Sequence, residues 1–134
     1  MARKRYPPTD PREWLNRARS NLALAKSETE GALLEDLCFE AQQATEKAIK
    51  AMFVHRGISF PYTDDLKRLL KQLERSGVKI PKYVRQAHQL TPYAVVTRYP
   101  GLVGPVTKRE YRRVVRIADA VITWATRPIE GKSP

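Results

Sequence analysis

A chain of 134 residues, 42% apolar and 29% charged, is long enough to bury one core, short for two domains, and not disordered by composition. Its 25 lysines and arginines against 14 acids give a formal net charge of +11, which speeds encounter with polyanions whatever the fold but does not make nucleic acid the partner. The longest uncharged stretch, Gln86 to Thr97, is far below the roughly 20 apolar residues of a membrane span, and a single cysteine excludes an internal disulfide.

Residues 1–9 are basic, carry Pro7 and Pro8, and show no period, so they read as a flexible basic arm. Asp10-Pro11-Arg12-Glu13 signals a helix start: Asp10 caps, Pro11 takes the first helical position, and Glu13 completes a capping box. Trp14, Leu15, Ala18, Leu22 and Ala25 then recur at helical spacing until Gly31. A second helix runs from Leu33 to His55 and stops at Gly57. Its apolar arc includes Leu37, Cys38, Ala41, Ala44, Ala48 and Met52, and its small alanines admit a neighbour closely, which places this helix centrally. Cys38 lies on that arc and reads as inert packing.

Thr63-Asp64-Asp65 supplies caps for a short helix bearing Leu66, Leu69, Leu70 and Leu73, closed by Gly77. Pro81 opens a fourth segment that Pro92 is expected to kink or end near Tyr93. His88 on that segment reads as a surface or packing histidine. The β-like run Ala94-Val95-Val96-Thr97 is too short and isolated to pair, so no sheet is expected. A proline- and glycine-rich loop spans 98–106. Thr107 then caps the last helix, with Glu110 completing a second box. Tyr111, Val114, Val115, Ala118, Val121, Ile122 and Ala125 share one face, while Arg109, Arg112, Arg113 and Arg116 share the opposite one. This helix is expected to end near Arg127-Pro128, leaving 128–134 as a polar tail. The whole predicts an all-α, antiparallel up-and-down four-helix bundle with an additional short helix over residues 10–127.

Charge is segregated. Residues 1–19 hold six basic side chains against two acids and residues 107–116 five against one, whereas 28–46 hold six acids and no lysine or arginine. No glycine-rich phosphate loop, GxSxG or HExxH occurs, and Cys38, His55 and His88 have no metal-ligand spacing, so no metal or other cofactor is expected. No apolar core follows the basic start, as a secretory leader requires, and a cytoplasmic location is expected.

Cys38-Phe39-Glu40-Ala41-Gln42-Gln43-Ala44-Thr45-Glu46-Lys47-Ala48-Ile49-Lys50-Ala51, the Thr63-Asp64-Asp65-Leu66 helix start and Thr97-Arg98-Tyr99-Pro100 before the last helix, in that order, resemble the HEPN domain family. The likeness covers roughly residues 12–126. It implies a helical bundle that commonly dimerises and, in many members, a partnership with a small nucleotidyltransferase encoded nearby as a toxin–antitoxin pair. Many members are metal-independent ribonucleases with an Arg-x(4–6)-His motif. Here the positions that histidine would occupy after Arg98 are Val103, Gly104 and Pro105, and no histidine follows His88. Asp64 also stands where the family often has histidine. Without an imidazole, acid–base cleavage lacks its usual agent.

The expectation is therefore a non-catalytic, homodimeric domain, acting with a nucleotidyltransferase-like partner or binding a nucleotide or RNA. Two alternatives stay open: a ribonuclease toxin with a divergent site using Arg98 with Tyr99 or His88, and a non-specific polyanion-binding module. Candidate contacts are Arg98 and Tyr99, a guanidinium fork beside a stacking ring, with Arg109, Arg112, Arg113 and Arg116. Equally, Arg98 can pair with Glu46 and pin its loop. Gln42 and Glu46, one turn apart at the edge of the apolar arc, are the candidate supporting pair. The apolar girth of the second helix argues for a dimer.

Overall fold

The computed structural model describes residues 3–96, 100 and 105–131. Six helices follow one another: α1 (Pro11–Lys26), α2 (Leu34–Arg56), α3 (Leu66–Arg75), α4 (Lys82–Arg85), α5 (Tyr93–Val96) and α6 (Lys108–Glu130), with a 3-10 turn, Gln86–Leu90, between α4 and α5. Among the described residues there is no strand. The architecture is the expected all-α, antiparallel up-and-down bundle, with α2 at its centre: α1 and α6 pack along it and on each other, while α3, the 3-10 turn and α5 cover its remaining side. Ala41, Ala44, Ala48 and Ala51 are fully buried along α2, so the small side chains do admit close neighbours. The apolar arc of α2 is thereby largely covered by its neighbours within the chain.

Termini follow the sequence closely where a local signal is decisive. Gly57 ends α2 in the left-handed region at φ 69°, where a glycine avoids the Cβ clash, and its N–H donates to Phe53 and Val54 carbonyls. Asp65 caps α3 by accepting from the Lys67 and Arg68 amides, and Thr107 caps α6 by accepting from the Glu110 amide at 3.0 Å. The fourth segment is broken more finely than a single kink, into α4, the 3-10 turn and α5. The β-like run contributes Ala94, Val95 and Val96 to α5.

Three features depart from the sequence-based expectations. Glu13 does not complete a capping box; its carboxylate accepts from Arg5, from the Tyr6 amide at 3.0 Å and from Asn16 at 3.3 Å. Residues 3–9 consequently lie along α1, further tied by the Trp14 indole N–H donating to the Pro8 carbonyl at 2.8 Å and Asn16 Nδ2 donating to the Lys4 carbonyl at 2.8 Å. Glu110 likewise accepts not from its own cap backbone but from the Tyr93 hydroxyl, joining α5 to the start of α6. Finally, α6 continues through Pro128 to Glu130. A proline in the last turn costs one intrahelical hydrogen bond, and the extension is held from outside: Arg19 on α1 pairs with Glu130 at 3.1 Å and donates to Thr126 Oγ1 at 3.1 Å.

Candidate functional site

The start of α6 is fixed from three directions. Thr107 caps it, Tyr93 reaches Glu110, and the Val106 amide donates to Glu35 Oε1 at the head of α2, 2.9 Å away. Tyr111, Val114, Ala118, Val121, Ile122 and Ala125 then turn inward as their spacing demands, together with Ile117 and Trp124. Arg109, Arg112, Arg113 and Arg116 are exposed on the opposite face. Arg113 Nη1 donates to Gln89 Oε1 at 2.7 Å. Among the described residues no salt bridge reaches Arg109, Arg112 or Arg116. The neighbouring Lys108 pairs with Glu28 at 2.8 Å; that hydrogen bond, with Arg112 contributing from farther off, holds the Glu28 carboxyl below its ordinary pKa. The stripe thus presents planar N–H forks to solvent at the bundle surface, the geometry that receives phosphate oxygens in pairs.

Arg98 and Tyr99 lie outside the described residues, as does a pairing of Arg98 with Glu46. The proposed supporting pair forms: Gln42, fully buried, donates through Nε2 to Glu46 Oε1 at 3.2 Å and accepts at Oε1 from Gln43 at 2.7 Å. Glu46 has a partner that sequence reasoning missed. Lys50 Nζ lies 2.9 Å from Glu46 Oε2, both side chains being only about 15% exposed, and the ammonium sits 4.9 Å from the Phe60 ring centroid. The i,i+4 spacing of Glu46 and Lys50 was the available signal. Phe60 stands edge-on to Trp14 and Phe53, so the ion pair caps an aromatic cluster.

His88 is exposed on the 3-10 turn, beside a cleft of about 290 Å³ that it shares with Leu70, Glu74 and Arg85. Cys38 is fully buried, and burial, with Glu110 and Glu35 adding to it, pushes the thiol up to about 12; a thiol so held is no nucleophile at neutral pH. Among the described residues no three histidine, cysteine or acidic side chains are placed to hold a metal ion, and no helix is long and apolar enough to cross a membrane.

The family model of the HEPN domain matches residues 11–129. Two solved structures are similar: TT1696 from Thermus thermophilus, at 29% identity over 88% of this chain and 97% of that one, with a TM-score of 0.77, and ST0689, described as an archaeal HEPN homologue, at 24% identity over 90% and 98%, with a TM-score of 0.72. Against curated proteins the sequence finds no match.

Proposed function

The chain belongs to the HEPN domain family, and on that footing we propose that it is a non-catalytic, dimeric member that holds a nucleotide or RNA against the arginine face of α6, with Arg98 and Tyr99 contributing, and acts with a nucleotidyltransferase-like partner. The observation that carries this reading is the exposed stripe of Arg109, Arg112, Arg113 and Arg116, none of which forms a salt bridge among the described residues. Guanidinium groups aligned on one rigid helix repel one another, and a phosphate backbone relieves that repulsion while releasing its counterions. The absence of a histidine at the fourth to sixth place after Arg98, or anywhere beyond His88, supports binding without cleavage. For the dimer, two exposed leucines, Leu24 near the end of α1 and Leu33 just before α2, 51% and 65% exposed, are apolar side chains that a second copy can cover.

A fluorescent single-stranded RNA titrated against the wild type and an R109Q/R112Q/R116Q variant tests the reading. The wild type is expected to lose affinity linearly in log salt, with a slope of about −0.7 per phosphate contacted, and the variant to bind more weakly with a shallower slope. Affinity that ignores both salt and the three substitutions removes the stripe from the mechanism. Cleavage of the RNA, lost in Arg98→Ala, overturns the non-catalytic assignment, and sedimentation as a monomer at micromolar concentration overturns the dimer.

A further inference from the structure

Residues 67–85 hold seven lysines and arginines against a single acid, Glu74, a larger excess than that of either basic segment, at the N-terminus or at the start of α6. The period of α3 decides where the charge goes. Leu66, Leu69, Leu70 and Leu73 are buried at helical spacing, so Lys67, Arg68, Lys71 and Arg75 are left on the outer face, and all four are exposed. The chain then returns through α4 into the 3-10 turn, where Arg85 and His88 are exposed as well. The cleft of about 290 Å³ already noted beside His88 lies between these two runs: Lys67, Leu70, Lys71 and Glu74 line it from α3, Arg85 and His88 from the returning segment.

Little within the chain neutralises this cleft. Glu74 is taken up by Arg85, each about half exposed. Asp65 is occupied as the α3 cap, accepting from the Lys67 and Arg68 amides at 3.1 and 3.4 Å. Among the described residues no salt bridge reaches Lys67 or Lys71, nor Arg68 and Arg75 beside them. Lys67 and Lys71 stand one helical turn apart, a like-charge pair whose repulsion an anion lying against both relieves. The two walls are also tied in advance: the Glu74–Arg85 pair joins them at the rim, and the Leu66 amide donates to Thr91 Oγ1, just past the turn, at 3.2 Å.

We propose that this cleft docks an acidic segment of another protein, an extended stretch that alternates carboxylates with apolar side chains. Glu74 seated on Arg85 shows that the rim accepts a carboxylate, and the two lysines extend the same demand along the wall. Leu70 and the aliphatic stems of Lys67 and Lys71 supply an apolar floor for a side chain between those carboxylates. Single-stranded nucleic acid is held by charge together with aromatic rings on which bases stack, and no aromatic side chain lines this cleft. A bilayer presents a plane, whereas these cations line a concavity. Lysine ammonium groups are rotatable point charges, suited to carboxylates on a flexible segment, in contrast to the planar forks along α6. The surface is separate from the α6 stripe and does not depend on the nucleotide or RNA reading.

The test is fluorescence anisotropy of the full chain with a labelled peptide alternating glutamate and leucine, and with its glutamine counterpart. The proteins are the wild type, K67E/K71E, and K26E/R127E, a charge-matched control at exposed positions outside the cleft, each checked for an unchanged helical melt. The acidic peptide is expected to bind the wild type and the control within about twofold of each other, and K67E/K71E about tenfold more weakly or worse, because each reversal replaces an attraction by a repulsion. The glutamine peptide is expected not to bind. Amide shift changes at Leu70 and His88 during the titration, absent in K67E/K71E, locate the peptide. No binding of the acidic peptide overturns the site, and so does an equal loss in K67E/K71E and K26E/R127E, which assigns the binding to net charge. Single-stranded RNA or phosphatidylserine vesicles bound more tightly than the peptide, and lost in K67E/K71E, overturn a protein segment as the occupant. Because the arginine substitutions of the earlier RNA experiment leave this cleft intact and K67E/K71E leaves the stripe intact, either assignment can fail alone.

Discussion

Replacing Tyr93 by phenylalanine removes one atom at the joint between α5 and α6. Tyr93 is 7% exposed, and its hydroxyl donates to Glu110 at the first turn of the last helix. A hydrogen bond to a charged acceptor contributes about 1.5–3 kcal/mol, and the lower half of that range applies because Glu110 is half-buried and water can reach the vacated oxygen. With an unfolding entropy of about 2.1 cal/mol/K per residue, each kcal/mol moves the midpoint of a chain this size by roughly 3–4 °C, so Tyr93→Phe is expected to lower Tm by about 5–7 °C. The pH dependence separates the bond from simple repacking. Burial, then the hydrogen bond and the charge of Glu110, raise the Tyr93 pKa above its ordinary value. A raised phenol favours the neutral form in the folded state, so its contribution is complete below about pH 10 and is lost as pH climbs from there toward the folded value, at about 1.4 kcal/mol per unit. Tyr111, also raised, by burial first, adds its own alkaline loss in both proteins. Thermal melts between about pH 8 and about pH 11 are therefore expected to show a shallower alkaline decline in the variant than in the wild type. A variant melting within about 1 °C of the wild type, with the same alkaline decline, refutes the reasoning.

Three further outcomes are expected. Cys38 in the native protein is inert toward thiol reagents at neutral pH and reacts at once in denaturant; labelling of the folded chain at a free-thiol rate contradicts its burial and its raised pKa. Glu46→Ala strands the Gln42 amide and the Lys50 ammonium, and costs about 1–3 kcal/mol in chemical unfolding, with Lys50→Met milder because the methionine still covers Phe60. Glu13→Ala frees residues 3–9, so trypsin cuts after Arg3, Lys4 and Arg5 faster than in the wild type; because Arg5 and the Tyr6 amide hold the Glu13 carboxyl well below the usual range, the wild-type segment stays docked, by amide exchange, well below about pH 4 and detaches only as the pH falls through that lowered value.

Helix existence, the central position of α2 and the inward face of α6 were legible because each follows from a period or a cap that acts within a few residues: Gly57, Asp65 and Thr107 do what their chemistry dictates wherever they stand. What escaped the sequence is what depends on distant partners. Glu13 and Glu110 sit at capping-box positions, yet each meets a better donor, the Arg5 fork or the Tyr93 hydroxyl, brought in by tertiary packing. Pro128 marks a helix end by local rules, but Arg19 from α1 holds the helix beyond it. The arginine stripe was readable from spacing alone. The groove that Arg3, Arg17 and Lys47 line was not, since Arg17 and Lys47 come together through the packing of α1 on α2, and Arg3 joins them only because the N-terminal segment folds back along α1. Lys50 could have been found by its spacing from Glu46. Arg98 and Tyr99, which belong to the third of the motifs that carry the resemblance, lie outside the described residues.

The diversion of those two glutamates also shapes how the bundle assembles. α3 takes its start signal from Asp65, with the Leu66 amide also donating to Thr91 Oγ1, whereas α1 and α6, beside their own caps Asp10 and Thr107, draw part of the support of their opening turns from Arg5 and Tyr93, which are in place only after docking. Substitutions at Glu110 or Tyr93 are accordingly expected to accelerate unfolding while leaving the refolding rate nearly untouched, and substitution of Asp65 to slow refolding, making the first and last rods late arrivals on a nucleus formed around the middle of the chain.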